Sequence, residues 1–108
     1  MPLSLEQKFN KALFLLDRGE LEKGEKLLRE IIVDADAAEN EIFQIRGRCC
    51  LGELLYELDR NDESKQLLEV VVRHTLSELL DDLLDVERER ARELILKMDR
   101  GVQPERWI

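Results

Sequence analysis

Several residue types are scarce in this chain, and each scarcity excludes a class of protein. With only two prolines and five glycines among 108 residues and 39% charged residues, the composition favours solvated helices over a disordered chain. Aromatic residues make up 5%, so the core must be built mainly from Leu, Ile and Val. No hydrophobic run approaches the roughly 20 residues of a membrane-spanning helix. The N-terminal segment lacks the basic and apolar regions of a signal peptide, so we predict a cytoplasmic protein.

Residues suited to metal binding or redox chemistry are equally few. The cysteines, Cys49 and Cys50, are adjacent, and helical neighbours point about 100° apart, so a disulfide between them would need a distorted backbone. His74 is the only histidine and lies near a predicted helix end, where it can act as a C-terminal cap. These three residues lack the ligand spacing of known zinc sites. We therefore predict reduced thiols, no metal and no cofactor.

No pattern in the sequence predicts catalysis. There is neither a Gly-rich phosphate loop nor a His-Glu-x-x-His helix. Carboxylate pairs such as Glu53 and Glu57 lie one helical turn apart, which is expected of solvated faces in a chain with 25 acidic residues. We predict that the protein is not an enzyme.

The formal charge of −8 disfavours a nucleic-acid partner, because an acidic chain repels phosphate backbones. A module of that kind would have to use Arg46, Arg48, Arg88, Arg90 and Arg92. The same charge leaves two interpretations for the acidic run Glu78, Asp81, Asp82 and Asp85. It is either a solvated helix face with local ion pairs or a patch that attracts a basic partner segment.

The chain does contain a segment that occurs twice. Residues 12–32 reappear in outline at residues 52–72, and an offset of about 40 brings Leu27-Leu28 onto Leu67-Leu68. In each copy an apolar helical stretch meets a polar break, and a second helix follows. Such self-similarity is typical of stacked helical hairpins, which build binding surfaces rather than reaction centres.

The first copy lies in a predicted hairpin over residues 5–34. Ser4 and Gln7 form a capping-box pattern that predicts a helix from Leu5 to Asp17, and a second helix starts near Glu20.

The second copy lies in a predicted hairpin over residues 37–73. The pair Asp36 and Glu39 resembles a capping box and predicts a long third helix over residues 37–58. Asn61 is a good N-cap for the fourth helix.

Residues 75–100 follow a predicted break near residues 73–75 and contain neither Gly nor Pro. We predict that they form either one long capping helix over hairpin two, with a bend near residues 85–89, or a third, divergent hairpin. The apolar side of this segment, called here the leucine face, consists of Leu76, Leu79, Leu80, Leu83, Leu84, Ala91, Leu94, Ile95 and Met98. A tail over residues 101–108 carries Trp107. The predicted class is all-α, with one domain over residues 1–108.

The second copy resembles the tetratricopeptide repeat. Leu51-Gly52 matches the Leu-Gly step of that family's first helix, and Tyr56 matches the aromatic residue that follows. Ser64 matches the small residue at which the two helices cross, and Leu68 matches the large residue after it. In the first copy the corresponding residues are Ala12, Leu16, Gly24 and Leu28, with Gly19 at the turn. The period here is about 40 residues, against about 34 in the family.

The resemblance implies a concave groove, lined by the first helix of each hairpin, that binds a peptide or helix of another protein. The residues that it places in the groove are Asn10, Leu13, Asp17, Arg46, Cys49, Cys50, Glu53 and Glu57. The family's clamp for a C-terminal carboxylate is absent, because Phe9, Leu13 and Cys50 occupy its positions.

We therefore predict a protein–protein interaction adaptor. Two alternatives use the leucine face instead: a dedicated chaperone or assembly factor that shields an apolar helix, and a structural homodimer. A leucine face buried within one molecule favours the adaptor, an exposed one the chaperone, and one buried across a two-fold axis the dimer.

Overall fold

Six helices form the fold in the computed structural model, which describes residues 3–76 and 78–104, apart from the side chain of Glu78. They are α1 (Leu5–Asp17), α2 (Leu21–Ala37), α3 (Glu41–Glu57), α4 (Asn61–Arg73), α5 (Glu78–Leu83) and α6 (Asp85–Asp99). The described residues contain no strand, so the predicted all-α class is confirmed. None of the helices in these residues is long and apolar enough to cross a bilayer. Trp107 and the end of the predicted tail lie outside the described residues.

The first helix has the bounds that its capping pattern predicts. The Ser4 hydroxyl accepts a hydrogen bond from the Gln7 amide at 3.1 Å, and the Gln7 side chain accepts one from the Ser4 amide at 2.9 Å. Both interactions satisfy donors that a helix N-terminus otherwise leaves unpaired.

The predicted start of the third helix at residue 37 is wrong. Helix α2 continues to Ala37, because Ala35 completes the buried stripe that follows Leu28 and Ile32. The N-cap of α3 is Asn40, whose side-chain oxygen accepts a hydrogen bond from the Phe43 amide at 3.2 Å. Asp36 does not cap a helix; it accepts two hydrogen bonds from the Arg48 guanidinium.

The predicted N-cap of the fourth helix is also displaced by one residue. Arg60 occupies the cap position, and Asn61 is the first helical residue. No side chain caps this helix; the Arg60 guanidinium instead binds Glu25 at 2.7 Å and Glu63 at 2.9 Å.

The two copies of the repeat share the helix boundaries on either side of the polar break, at the same offset of 40 residues. Helices α1 and α3 end at Asp17 and Glu57. The turns that follow contain left-handed residues at Gly19 (φ 79°) and Asp59 (φ 61°), and α2 and α4 begin two residues later. The turn at the polar break therefore has the same backbone conformation in both copies, although only the first copy has glycine at the left-handed position.

The two small residues predicted at the helix crossings lie there. A Cβ atom added to Gly24 would come within 2.5 Å of Leu16 Cδ2. Ser64 is fully buried, and its hydroxyl donates a hydrogen bond to the Gly52 carbonyl at 2.5 Å. The two helices of each hairpin can therefore approach each other closely only because the residue at their crossing has no large side chain.

Helices α1 to α4 stack in chain order, with adjacent helices antiparallel. Hairpin one (α1 and α2) packs on hairpin two (α3 and α4) mainly through α2 and α3, and α6 packs on both helices of hairpin two. The core between the hairpins consists of Ala12, Leu28, Ile31, Ile32, Leu51, Leu54 and Leu55. The core under α6 consists of Ile45, Cys49, Tyr56, Leu68, Val71, Leu84, Ala91 and Leu94.

Helices α5 and α6 follow one another around a bend at Leu84, slightly before the predicted position. The Leu84 amide donates a hydrogen bond to the Leu80 carbonyl, and the Arg88 amide donates one to the Leu84 carbonyl. Helical hydrogen bonding therefore continues through the bend, and the two helices do not pair as a hairpin.

The leucine face is divided between the core and the surface. Leu84 is fully buried, and Leu76 and Leu80 pack against the same core. Leu79 is 87% exposed and Leu83 is 49% exposed. The predicted cap over hairpin two therefore buries only part of this face, because the leucines span more of the helix circumference than hairpin two covers.

Candidate binding cleft

Three helices enclose an open cleft of 340 Å³ on one side of the stack, called here the central cleft. Helix α1 contributes Glu6, Phe9, Asn10 and Leu13; α3 contributes Phe43, Arg46, Cys49, Cys50 and Glu53; and α6 contributes Glu87. Each helix reaches the cleft because the units stack side by side, so that α1, α3 and α6 lie along the same side.

The floor of the cleft is apolar. The rings of Phe9 and Phe43 meet edge to face, with their centroids 5.8 Å apart, and join α1 to α3. Leu13 lies one turn after Phe9 and remains 38% exposed. A partner side chain placed here could therefore bury apolar surface against two elements at once.

Ion pairs connect α3 to α6 along the rim. Arg46 Nε lies 3.5 Å from Glu87 Oε1, and the Arg90 guanidinium lies 2.5 Å from Glu53 Oε1. The second carboxylate oxygen of Glu87 is buried and has no hydrogen-bond partner among the described residues. The rim thus has fixed charges of both signs.

The two cysteines are free thiols with little nucleophilic character. Cys49 is buried and its Sγ donates to the Glu87 carbonyl at 3.4 Å. Burial, followed by the nearby carboxylates of Glu53 and Glu87, raises the pKa of Cys49 to about 12. Burial and the carboxylates of Glu53 and Glu57 raise the pKa of Cys50 to about 11. Both thiols are protonated at neutral pH and add polarizable apolar surface to the cleft.

A second cavity of 380 Å³ continues along α3 and shares Glu53 with the central cleft. Tyr56 lines it and donates a hydrogen bond from its hydroxyl to the Val102 carbonyl at 3.0 Å, which holds the residues after α6 against α3. Burial and the neighbouring Glu53 carboxylate raise the pKa of Glu57, which also lines this cavity.

The predicted groove residues are distributed over these two cavities and the surface beyond them. Asn10, Leu13, Arg46, Cys49, Cys50 and Glu53 line the central cleft. Glu57 lines only the second cavity, and Asp17 lines neither. The sequence prediction did not include Glu6, Phe9, Phe43 or Glu87 among the groove residues. Glu6 and Phe9 follow the helical spacing of Asn10 and Leu13 and could have been found from it, whereas Glu87 depends on how α6 packs.

The other described residues that could bind a metal or titrate near neutral pH do not form a site in the cleft. Within the described residues, no three His, Cys, Asp or Glu side chains come together in a way that could hold a metal ion. His74 follows α4, away from the cleft, with its Nε2 4.0 Å from Glu41 Oε2.

Comparison with known protein families, with curated proteins and with solved structures finds no match to this chain.

Proposed function

We propose that the protein is a tetratricopeptide-like adaptor that binds a peptide or helix of another protein in the central cleft. The observation that carries this proposal is the convergence of three stacked helices on one open cleft with an apolar floor and a charged rim. Phe9, Leu13 and Phe43 supply an apolar anchor site. Asn10 and Arg46 supply hydrogen-bond donors that a peptide backbone or side chain can use.

The repeat geometry supports the tetratricopeptide-like part of this proposal. At the turn of each hairpin, the helix ends and the left-handed residue recur at an offset of 40 residues. The small residues Gly24 and Ser64 are both at helix crossings, as in that family's hairpins. Helix α6 then follows α1 and α3 as the third helix along the cleft, so the groove extends over all the stacked units.

The division of the leucine face favours the adaptor over the two alternatives. A chaperone that shields a partner through this face, or a two-fold dimer built on it, requires most of it to be available. Leu84, Ala91 and Leu94 are fully buried within the molecule, and Leu76, Leu80, Ile95 and Met98 pack against them. The larger part of the face is therefore used to cover hairpin two.

The proposal can be tested by selecting peptides from a random library displayed on phage and measuring how two substitutions change their affinity. Leu13 and Phe14 are adjacent on α1 and both exposed, but only Leu13 lines the cleft. We expect Leu13→Glu to weaken binding by about 10-fold or more, because it places a charge on the apolar floor, which corresponds to about 1.4 kcal/mol. The matched control, Phe14→Glu, should change the affinity less than about 2-fold.

Two results would contradict the proposal. One is a failure to enrich any peptide on the folded protein. The other is an equal loss of affinity for both variants, which would place the binding site outside the central cleft.

A further inference from the structure

A groove on the outer side of hairpin one is basic, although the chain as a whole carries a charge of −8. This basic groove has a volume of 320 Å³ and is lined only by α1 and α2, through Lys11, Leu15, Lys23, Lys26, Leu27 and Glu30. Leu15 and Leu27 are half-buried and form an apolar floor between exposed lysines. An apolar floor with a rim of one charge is suited to an amphipathic segment of the opposite charge.

The positive charge of the basic groove is not neutralised within the molecule. Glu30 is engaged by Lys8 at 3.0 Å, and Lys23 lies 3.3 Å from Glu20. In the part of the chain that the structure describes, Lys11 and Lys26 form no ion pair. Two lysines therefore remain to bind an external carboxylate.

The basic groove lies at the end of the stack that faces away from hairpin two. Helical residues are related by rotations of about 100°, so Lys26 lies about 180° from Ala35 on α2, and Lys23 lies about 180° from Ile32. Ala35 and Ile32 are buried on the inner side of that helix. No later helix of the described residues covers the lysine side, where Lys23 and Lys26 are exposed.

The opposite end of the stack carries an exposed apolar stripe, called here the terminal stripe. Leu79, Leu83 and Val86 are 87%, 49% and 76% exposed, and their spacing of four and three residues places them along one line of the bent α5–α6 helix. Asp82 and Asp85 flank the stripe. Among the described residues neither forms an ion pair, whereas Asp81 is bound by Arg88.

We propose that the terminal stripe of one molecule docks in the basic groove of a second copy, so that the molecules associate head to tail. The apolar stripe fits the floor formed by Leu15 and Leu27, and Asp82 and Asp85 are complementary to the unpaired Lys11 and Lys26. A two-fold contact between terminal stripes is disfavoured, because it would bring the unpaired aspartates of both copies together. The two ends of a repeat stack are the surfaces on which such a stack can be extended.

A head-to-tail contact has consequences that a two-fold contact lacks. Each bound copy leaves one groove and one stripe free, so association is open and the mean mass rises continuously with concentration. The contact involves few side chains, so the association is weak. Because charged residues surround it, its affinity decreases as salt screens the charges.

Reciprocal charge reversal tests the contact in the full-length protein. The variant K11E/K26E has an acidic groove and an acidic stripe, and the variant D82K/D85K has a basic groove and a basic stripe. Each alone should show a dissociation constant raised about 10-fold or more in sedimentation velocity at low salt. A 1:1 mixture should regain association, because each variant's stripe is complementary to the other variant's groove.

The control variant E39K/D62K changes the net charge by the same amount as D82K/D85K at exposed positions outside both surfaces, and should associate as the unmodified protein does. Thermal melting of all variants at high salt checks that they fold. A native protein that stays at 12.7 kDa at the highest concentration overturns the proposal. So does association that survives K11E/K26E, which would indicate a closed dimer through the stripe, or a mixture that fails to associate.

Discussion

At the scale of single residues, Gly24 has a strict steric requirement, because α1 and α2 cross there without room for a side chain. An added Cβ atom would already meet Leu16 Cδ2 at 2.5 Å. We expect Gly24→Leu to lower the free energy of unfolding by about 1–3 kcal/mol through overpacking. The control Glu22→Leu, exposed on the same helix, should change it by less than about 0.5 kcal/mol. Equal urea midpoints for the two variants would show that hairpin one is not packed at Gly24.

The cysteines provide a pH-dependent prediction at the same scale. With pKa values raised to about 11 for Cys50 and about 12 for Cys49, both thiols are almost fully protonated at pH 8. Alkylation by iodoacetamide at pH 8, followed by mass spectrometry, should therefore be more than about 100-fold slower in the folded than in the unfolded protein. The rate should rise up to about pH 11, with Cys50 reacting first. Rapid native alkylation at pH 8 would contradict the burial of these thiols.

The same shifts determine the sign of a stability effect. An unfolded cysteine loses its proton near pH 8.5, whereas the folded protein holds the proton to a higher pH. Above about pH 8.5 the folded state therefore binds more protons than the unfolded state, and the contribution of these groups to stability decreases as pH rises. Below that pH the groups have no such effect.

Among the helices, those whose ends are set by local sequence could be predicted, and those whose ends depend on burial could not. The capping box at Ser4 and the left-handed turn at Gly19 fix both ends of α1. The junction between α2 and α3 contains two competing caps, Asp36 and Asn40. Asn40 is used because burying Ala35 extends α2 beyond Asp36, which then binds Arg48.

The corrected caps give a prediction for the helix starts. Asn40→Ala should lower the free energy of unfolding by about 1 kcal/mol, because the Phe43 amide loses its acceptor. Asn61→Ala should have an effect below about 0.5 kcal/mol, since Asn61 is helical and does not cap α4. Urea denaturation of both variants measures the difference. A larger effect at Asn61 than at Asn40 would support Asn61 as the N-cap of α4, as the sequence predicts.

The candidate site shows a similar limit of sequence reasoning. Residues of α1 and α3 could be placed on one side because the repeat relates these helices. Glu87 could not be placed, since its position depends on the bend at Leu84 and on the docking of α6. The exposure of Leu79 and Leu83 has the same origin, because an apolar stripe alone does not show how much of it the neighbouring hairpin covers.

The divided leucine face can be tested directly in α5 and the bend that follows it. Leu84→Ala removes a fully buried side chain under α6 and should lower the free energy of unfolding by about 2–5 kcal/mol. Leu79→Ala alters a side chain that is 87% exposed and should have an effect below about 0.5 kcal/mol. Both variants should be measured at low protein concentration and high salt, because self-association is weakest under these conditions. Similar losses for the two variants would mean that α5 packs differently.

Across the whole molecule, two hairpins and a bent terminal helix form a stack with a cleft on one side and two unlike ends. We propose that the central cleft binds a segment of another protein. The basic groove and the terminal stripe are proposed to bind a second copy of this chain. Because these surfaces share no residues, binding in the cleft and head-to-tail association should respond to separate substitutions.

The most direct test of the central claim is a map of backbone amide chemical shifts, recorded by NMR as a peptide selected from the displayed library is added to the full-length protein at high salt. We predict that the largest changes fall on residues of the central cleft, among them Asn10, Leu13, Arg46 and Cys50. Changes confined to Lys26 or to Leu79 and Val86, with these cleft residues unmoved, would contradict the claim that the cleft is the binding site.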